Sequence, residues 1–484
     1  MSLQSLEPKS IWSHFENINA IPRASKKEEA IIAYMLQFGE SLNLPTSRDE
    51  AGNVLICKPA SAGYESRKTV VLQAHLDMVH QKNADSDFDF ETSGIEMYVD
   101  ADWVKAKGTT LGADNGLGVA TIMAVLASDN IEHPAIEALF TIDEETGMTG
   151  AKALTAGWLK GEYLLNLDTE EDDEITIGCA GGVDVTATGA LREEAGVAYD
   201  TKLEITISGL SGGHSGMDID KGLANANKVL FRILAAAIKE KDVRLFAVDG
   251  GGLRNAIPRE AMGSIACKAS DVKEVTTAIE RENAFILKEY AVMEPNLTID
   301  LKVEKISERI EVLTEDVQDK FIQVLNVVHS GVFRMSPAFP GLVETSNNLA
   351  RVVLKNGKYT ILCLTRSAVQ SSKDYLSMIL ENTFRMLDAE VDFSGEYPGW
   401  EPEPEGELVQ LTADTYRRLF NEEPRVIAGH GGLECGLIGE AYPKLKMVSI
   451  GPTIRGAHSP DERASISSVQ KFWTFFLELL KNMP

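Results

Sequence analysis

Short runs of almost continuously apolar residues constrain the fold of this chain more than any other feature. Four of them have the length of strands: residues 53–57, 69–74, 136–142 and 163–167. A sheet with one face in water alternates polar and apolar residues, so these continuous runs predict strands covered on both faces. An apolar helix over residues 116–127 lies between them. We therefore expect an α/β fold whose mixed sheet has helices on both sides.

The pattern changes near Gly189, which indicates a second domain. Residues 190–201 are polar and charged and are expected to form a linker. Beyond them the strands alternate more clearly, helices intervene, and Asn356-Gly357 between two apolar runs predicts a tight hairpin. The α/β rhythm returns after a Pro- and Glu-rich stretch at 398–406. These features predict one α/β domain, residues 1–188 and 399–484, interrupted by an α+β domain, residues 189–398.

One helix start is predicted from its own cap. The segment Ser25-Lys-Lys-Glu28 has the spacing of a capping box, and apolar residues at helical spacing follow it. We expect Ser25 to cap the helix that begins after it.

Composition excludes several classes of protein. The 484 residues carry a formal net charge of −26, which disfavours nucleic acids and anionic membranes as partners because their charge has the same sign. The five cysteines are scattered and form no C-x-x-C motif, so neither a disulfide framework nor a thiolate zinc site is expected. We find no signal-peptide pattern and no run of about 18 apolar residues. We therefore expect a cytoplasmic protein.

Polar residues with catalytic or metal-binding chemistry follow three of the apolar runs. His75 and Asp77 end the second run and point the same way, as a metal ligand and the carboxylate that orients it would. Glu144 and Glu145 follow the third run, where adjacent carboxylates repel each other unless solvent or a cation balances them. Asp168 ends the fourth run. Taken alone, each residue also fits an ordinary solvated position.

Two further candidates lie in glycine-containing segments. Asp114 stands between two such segments, directly before the apolar helix, and the ordinary interpretation there is an N-cap. His458 lies in Arg455-Gly-Ala-His-Ser-Pro460, just after a predicted strand at 447–450. Open α/β sheets bind ligands at the carboxyl ends of their strands, where most of these candidates fall.

Five of these residues form a possible set of metal ligands: His75, Asp114, Glu145, Asp168 and His458. Two imidazoles and three carboxylates suit zinc, cobalt or manganese, whereas an all-oxygen magnesium or calcium site would not need imidazole. Two metals that share one carboxylate would use all five. Asp77 is then free to hold His75, and Glu144 is free to act as a general base in metal-assisted hydrolysis.

Together these motifs resemble those of the M20 metallopeptidases, the aminoacylase and dipeptidase group. The resemblance is carried, in family order, by His75-x-Asp77, Gly-Ala-Asp114-Asn115-Gly, Glu144-Glu145, Asn-Leu-Asp168 and Ala-His458-Ser-Pro. The segments Gly251–Pro258 and Gly429–Gly436 look most like the bacterial aminoacyl-histidine dipeptidase branch, which is carnosinase-like.

The resemblance implies a role for each candidate ligand. Asp114 would bridge two Zn²⁺ per subunit, which Co²⁺ or Mn²⁺ can replace. His75 and Asp168 would complete one metal site. Glu145 and His458 would complete the other. The peptide bond after Asp114 would be cis.

The same resemblance implies the activity. The expected reaction is hydrolysis of Xaa-His dipeptides, including β-alanyl-histidine, by a hydroxide that bridges the two zinc ions. Glu144 would be the general base and Asp77 would orient His75. A broader dipeptidase or tripeptidase, a carboxypeptidase and an N-acyl amino acid deacylase remain alternatives on the same scaffold. A non-enzymatic metal-binding protein is disfavoured, because it has no need of Glu144.

The inserted domain would be a lid, long enough for two ferredoxin-like halves. Substrate binding is implied for four of its residues or loop neighbours: His214, Asn255, Arg366 and His430. His214 would reach the substrate carbonyl, and Arg366 would clamp the free carboxylate with its two-pronged guanidinium. Without the resemblance, each fits an ordinary turn, loop or surface position. A homodimer through the lid is also implied, with His214 acting in its own or the partner's site.

Overall fold

The computed structural model describes residues 3–83, 86–337 and 339–484. They form two compact units. The first unit comprises residues 1–178, 400–428 and 433–484, and the inserted unit comprises residues 179–399 and 429–432. The insertion therefore begins at Cys179 rather than at 189, because residues 181–190 form a strand of the inserted sheet. The first unit resumes at Trp400, beside the expected position of 399.

The first unit opens with a short 3-10 helix at Leu3–Ser5, followed by helices α1 (Lys9–Asn19) and α2 (Glu29–Ser41). Its next elements are β1 (Thr46–Arg48), β2 (Val54–Lys58), β3 (Val70–His75), β4 (Met97–Asp100), β5 (Trp103–Ala106), α3 (Ala113–Ala127), β6 (Ile136–Thr141), α4 (Thr149–Lys152), β7 (Tyr163–Asn166) and β8 (Glu174–Thr176). Every residue of β3, β6 and β7 is buried, as the continuous apolar runs predict.

The inserted unit follows. Its elements are β9 (Gly181–Ala190), β10 (Glu193–Ala195), β11 (Thr201–Ser208), β12 (Gly213–His214), α5 (Ala226–Ala237), β13 (Arg244–Gly251), β14 (Ala256–Ile257), β15 (Ala261–Cys267), α6 (Val272–Tyr290), β16 (Thr298–Lys305), β17 (Glu311–Leu313), α7 (Glu315–Val327), β18 (Gly331–Met335), β19 (Val343–Lys355), β20 (Lys358–Ser367), α8 (Gln370–Arg385) and β21 (Glu390–Tyr397). The expected linker at 190–201 is partly wrong, because β10 within it pairs with β17.

The chain then completes the first unit. Its last elements are α9 (Glu407–Phe420), β22 (Arg425–Ile427), α10 (Glu434–Ala441), β23 (Lys446–Ser449), β24 (Ile454–Arg455), β25 (Arg463–Ser465) and α11 (Ile466–Asn482). No helix within the described ranges is both long enough and apolar enough to span a membrane.

The sheet of the first unit is mixed. Its strand order is β1-β2-β6-β3-β7-β23-β8-β22. β3 is parallel to β6 and β7, and β23 is parallel to β7, whereas β1 and β2 add antiparallel pairs at one side. Because parallel strands end at the same edge, the loops after β3, β6 and β7 emerge together. The prediction of an α/β fold is confirmed.

The inserted sheet is antiparallel and contains the same topology twice. Its order is β16-β11-β15-β13-β19-β20-β9-β21, with β18 beside β19. The elements β11-α5-β13-β15-α6-β16 form one β-α-β-β-α-β unit with neighbouring order 4-1-3-2. The elements β9-α7-β19-β20-α8-β21 form another with the same order, and the first is inserted after its opening strand. This topology agrees with the expected two ferredoxin-like halves.

A two-residue turn joins β19 to β20. Lys355 pairs with Lys358, and the residues between them, Asn356 and Gly357, have φ values of 53° and 67°. Positive φ at both positions is what a type I′ hairpin turn requires, and Asn-Gly supplies it at low cost. The predicted hairpin is therefore present.

Candidate active site

The edge of the first unit's sheet brings the predicted metal ligands together. His75 is the last residue of β3, and Asp168 follows β7. Glu145 lies beyond β6, and Asp114 lies in the first turn of α3. His458 stands between the paired strands β24 and β25, with a φ of 64°. The peptide bond between Asp114 and its successor is cis, as the resemblance implies.

The two carboxylate oxygens of Asp114 face two different histidines. Its Oδ1 lies 3.2 Å from Nε2 of His75, and the same nitrogen lies 3.4 Å from Oδ1 of Asp168. Its Oδ2 lies 3.2 Å from Nε2 of His458, and that nitrogen lies 3.0 Å from Oε2 of Glu145. The five side chains therefore form two groups of three that share Asp114.

These spacings fit metal ligands. Two atoms that bind one tetrahedral zinc at about 2.0–2.1 Å lie about 3.3 Å from each other. The nitrogen–oxygen distances in the two groups run from 3.0 to 3.4 Å. Among the described residues, Oε1 of Glu145 is buried and has no hydrogen-bond partner. The donor set thus has the types, spacing and free lone pairs that two divalent cations need.

Asp77 connects His75 to the two adjacent glutamates. Its Oδ1 lies 3.3 Å from Nδ1 of His75 and accepts the main-chain N–H of Glu144 at 3.0 Å. Its Oδ2 accepts the N–H of Glu145 at 3.2 Å. With Nδ1 held by Asp77, Nε2 of His75 points at the shared carboxylate of Asp114, which is the orientation a metal ligand needs.

Ser25 also contacts Asp77, and this corrects the predicted capping box. The Ser25 hydroxyl donates to Oδ2 of Asp77 at 2.8 Å. Helix α2 begins at Glu29, and its N-cap residue, Glu28, makes no side-chain cap. The serine therefore supports the candidate centre instead of the helix, because a buried carboxylate binds its hydroxyl more strongly than a helix end does.

Burial and crowded charges shift the pKa values of the cluster. Burial raises the pKa of Asp168 to about 6 and holds the pKa of Glu144 well above its usual value. Hydrogen bonds to Asp114 and then to Glu145 raise the pKa of His458 to about 11. These shifts reflect an excess of buried negative charge, which bound cations would neutralise.

A second polar cluster lies within the inserted unit, around the buried Arg366 of β20. Its Nη1 donates to the hydroxyl of Tyr397 at 2.9 Å, and its Nε lies 3.4 Å from Oγ of Ser215. No carboxylate among the described residues lies within 4.0 Å of this guanidinium. Burial raises the pKa of Asp184 against the opposing charges of Arg254 and then Arg366, and this carboxylate pairs with Arg254 at 3.2 Å instead. Arg366 therefore has the capacity to bind an anion.

His214 in the same cluster has a defined tautomer. Its Nδ1 accepts the main-chain N–H groups of Gly216 and Met217, at 3.2 and 3.1 Å. Burial and the positive charge of Arg366 lower the pKa of this histidine. The neutral ring thus carries its proton on Nε2, which is free to donate to an oxygen atom.

His430 and Asn255 lie beside this group in different ways. Burial, followed by the charge of Arg366, lowers the pKa of His430 to about 3, so the ring is neutral. Its Nε2 lies 2.7 Å from Oγ of Ser346, while Nδ1 is buried and without a partner in the described part of the chain. The main-chain carbonyl oxygen of Asn255 accepts the N–H of Ser215 at 2.8 Å, and Asn255 is exposed.

Comparison with known proteins assigns the family. The model of the peptidase family M20/M25/M40 matches residues 71–482. The chain belongs to this family. It is 45% identical over 482 residues to the cytosol non-specific dipeptidase of Escherichia coli K12, covering 100% of this chain and 99% of that protein.

Solved structures agree with this assignment. The aminoacylhistidine dipeptidase of Vibrio alginolyticus superposes on this M20 peptidase with a TM-score of 0.93 at 43% identity, covering 100% and 98% of the two chains. The aminopeptidase PepT of Bacillus cereus ATCC 10987 reaches a TM-score of 0.57 at 15% identity, covering 98% of each chain, and shares the fold.

Buried charged residues that sequence reasoning missed also lie near the centre of this M20 peptidase, among them Arg23, Glu434 and Glu462. None stands at the end of an apolar run, and none has a motif of its own in the sequence. Their position in motif-bearing segments is the only signal for two of them, because Glu434 follows Gly-Gly-Leu433 and Glu462 follows Ser-Pro-Asp461.

The four remaining histidines make local structural contacts. The ring of His14 packs edge-on against Phe38, and that of His80 packs against Phe90. The ring of His133 bonds the carbonyl of Pro134 at 2.7 Å, and His329 bonds a neighbouring carbonyl at 3.1 Å.

Proposed function

We propose that this protein is a metal-dependent dipeptidase that hydrolyses Xaa-His dipeptides, including β-alanyl-histidine, with two Zn²⁺ per subunit. The observation that carries the proposal is the division of five ligand-type side chains into two groups that share Asp114, in a chain of a peptidase family. Two oxygens of one carboxylate that face separate donor groups are suited to a metal pair rather than to one ion.

Each group would hold one of the two cations. Asp114 would bridge them. His75 and Asp168 would bind one, and Glu145 and His458 the other. When bound, such cations polarise the peptide carbonyl and lower the pKa of a water to about 7. Co²⁺ and Mn²⁺ offer the same ligand preferences.

Glu144 is the general base in this proposal. It takes a proton from the attacking water and returns it to the leaving amine nitrogen, so its carboxylate ends the cycle as it began. The main-chain N–H of Glu144 donates to Oδ1 of Asp77 at 3.0 Å, which fixes the backbone and leaves the Glu144 carboxylate to contact the attacking water. His214, with its proton on Nε2, donates to the carbonyl oxygen as negative charge develops there.

Arg366 is proposed to bind the free carboxylate of the dipeptide. Its buried guanidinium lacks an acidic partner among the described residues, and Tyr397 fixes one of its nitrogens. A paired guanidinium–carboxylate contact is strong and directional, so it selects substrates with a free C-terminus. His430 and Asn255 are proposed to bind the rest of the substrate.

The preference for histidine as the second residue of the dipeptide is proposed from sequence resemblance alone. One relative is named for non-specific dipeptide hydrolysis and another for aminoacylhistidine hydrolysis. Xaa-His preference follows the resemblance of the segments at 251–258 and 429–436. A dipeptidase of broader specificity, a tripeptidase or an N-acyl amino acid deacylase is the alternative.

We also propose that the protein acts in the cytoplasm as a homodimer formed through the inserted unit. A relative at 45% identity carries the word cytosol in its name. The inserted unit exposes several large apolar side chains, among them Phe333, Tyr375 and Met378. Apolar surface of this kind is a typical feature of interfaces. We expect light scattering of the purified protein to give the mass of two chains.

A substrate panel tests the proposed activity. The zinc- and cobalt-loaded enzyme is assayed with β-alanyl-histidine, Ala-His, Ala-Ala, Ala-Ala-His, Ala-His amide and N-acetyl-histidine. We expect hydrolysis of the first two, with Ala-His exceeding Ala-Ala in kcat/KM, and at most trace hydrolysis of the tripeptide, amide and acetyl compounds. Equal kcat/KM for Ala-His and Ala-Ala assigns a broad dipeptidase, and preferential turnover of the acetyl compound assigns a deacylase. No hydrolysis by protein that retains two metals contradicts the enzyme proposal.

A further inference from the structure

Glu462 makes an unusual set of contacts beside the candidate metal centre. Its Oε2 accepts the main-chain N–H groups of Leu111 and Gly112, at 2.7 and 2.9 Å. Its Oε1 accepts those of Ala113 and Asp114, at 2.7 and 3.2 Å. The residue is only 3% exposed. One carboxylate therefore binds four consecutive N–H groups at the start of α3, whereas an ordinary capping side chain satisfies one or two.

These contacts join the segments that carry two of the candidate ligands. Glu462 follows His458 in the loop between β24 and β25, and the N–H groups it binds lead directly into Asp114. Nε2 of His458 and Oδ2 of Asp114 lie 3.2 Å apart in one of the two donor groups. A change in the position of the Glu462 carboxylate would change this spacing.

Arg23 holds the same segment from its other side. Its guanidinium donates to the carbonyl oxygen of Gly112, and also to those of Leu76 at 3.1 Å and Asp77 at 3.0 Å. Gly112 is thus bound through its N–H by Glu462 and through its carbonyl by Arg23. Gly112 has a φ of 68°, and a Cβ there would lie 2.8 Å from Sδ of Met78, so only glycine fits.

We propose that Glu462 is a positioning residue for the metal centre, setting the spacing between Asp114 and His458. This inference rests on the proposed two-metal function. A further carboxylate near three others is unfavourable unless positive charge compensates for it. The buried Arg23 supplies one such charge, and bound cations would supply the rest. The cost of burying Glu462 is thus offset most fully when the centre is loaded.

The variant Glu462→Gln tests the proposal, with Asp461→Asn as the matched control. Gln keeps the size of the side chain, but its NH₂ group replaces a carboxylate oxygen that accepts hydrogen bonds from two main-chain N–H groups in the wild type. The Asp461 side chain makes no hydrogen bond among the described residues, and its residue is exposed. Chelator-treated proteins are titrated with Co²⁺, and the dissociation constants and absorption spectra are recorded together with kcat and KM at saturating metal.

We expect the affinity of at least one site for Co²⁺ to fall about 10- to 100-fold in Glu462→Gln, as is usual when a residue that supports a ligand is changed. KM at saturating metal should change less than about twofold, and the control should behave as the wild type. Wild-type Co²⁺ affinity and spectrum in Glu462→Gln overturn the inference, even if its melting temperature falls, because that result indicates a structural role only.

The variant Glu462→Asp and the number of Co²⁺ ions bound distinguish failure of this inference from failure of the proposed function. If Glu462→Gln does not fold, Glu462→Asp replaces it. The shorter carboxylate retains the charge but cannot reach all four N–H groups, so we expect a smaller loss of Co²⁺ affinity. An unchanged Co²⁺ affinity in Glu462→Asp refutes the proposal. Wild-type protein that binds fewer than two Co²⁺ contradicts the proposed function itself. Wild-type protein that binds two, with an equally good Glu462→Gln variant, contradicts only the role of Glu462.

Discussion

Asp77 accepts the main-chain N–H of Glu144 on Oδ1, at 3.0 Å. The same carboxylate faces Nδ1 of His75 at 3.3 Å and accepts the N–H of Glu145 at 3.2 Å. The sequence predicts only that Asp77 orients His75. The structure adds a second contact, through which Asp77 also fixes the backbone of the proposed base and of a proposed ligand from the neighbouring strand.

Asp77→Asn should therefore weaken metal binding and catalysis together. An asparagine has one oxygen to serve the N–H groups of Glu144 and Glu145, and its NH₂ repels one of them. We expect Co²⁺ affinity to fall about 10- to 100-fold. Ser25→Ala, which removes only the hydroxyl bond to Asp77, is the graded control and should cost less than about 10-fold. Cobalt titration of both variants measures the difference, and an Asp77→Asn variant with unchanged affinity contradicts the assignment.

Glu144→Gln should separate metal binding from turnover. An amide is not a base at neutral pH, so kcat should fall by about 10²- to 10⁴-fold. The ligand-type atoms near Asp114 belong to other side chains, so metal content by mass spectrometry should stay at two per subunit. Turnover near the wild-type rate in the metal-loaded variant rules out Glu144 as the base.

The fold and the ligand candidates were within reach of sequence reasoning because their signals are local. Continuous apolar runs mark strands that are covered on both faces, and a polar residue at the end of such a run must emerge at the sheet edge. His75 and Asp168 follow this rule directly. The Asn356-Gly357 turn is also local, since both residues adopt the positive φ that the hairpin needs.

What sequence reasoning missed depends on tertiary contacts. Glu462 is buried because it meets N–H groups at 111–114, which are remote in the chain, and no periodicity signals such a contact. Strand β10 pairs with β17, and the whole first β-α-β-β-α-β unit lies between them in the sequence, so this short charged segment resembles a linker. The doubled topology leaves no repeat that we can defend in the sequence, because burial on one face restricts only hydrophobicity.

Arg366→Ala should remove selection for a free carboxylate. If the guanidinium binds that group, the wild type should discriminate strongly between Ala-His and Ala-His amide, and the variant should lose most of this ratio of kcat/KM values. The loss should be on the order of 10²-fold, as for a charged hydrogen-bonded pair of about 3 kcal/mol. Tyr397→Phe, which removes one hydroxyl contact to Arg366, is the matched control and should reduce the ratio only slightly. An unchanged ratio in Arg366→Ala excludes the clamp.

The buried acid Glu434 lies close to the candidate centre, and its protonation state can be tested. It begins α10, and its Oε2 accepts from Nε2 of Gln73 at 2.7 Å and from the hydroxyl of Thr141 at 2.6 Å. Its Oε1 is buried and has no partner among the described residues. Burial raises the pKa of Glu434 to about 8, so the folded protein keeps this acid protonated at neutral pH.

The sign of the resulting pH dependence is fixed. In the unfolded chain a glutamate ionises above about pH 4.3, whereas in the folded chain Glu434 holds its proton up to about pH 8. Its contribution to stability is therefore complete below pH 4 and is lost as the pH rises to 8, at up to about 1.4 kcal/mol per pH unit. Glu434→Gln, which is neutral throughout, should gain stability relative to the wild type between pH 5.5 and 8.5. Urea unfolding in chelator measures this, since metal binding would add its own pH dependence. Glu440→Gln, at an exposed position of α10, is the control and should follow the wild type at each pH. A constant difference between Glu434→Gln and the wild type over this range would show that Glu434 is already ionised in the folded protein.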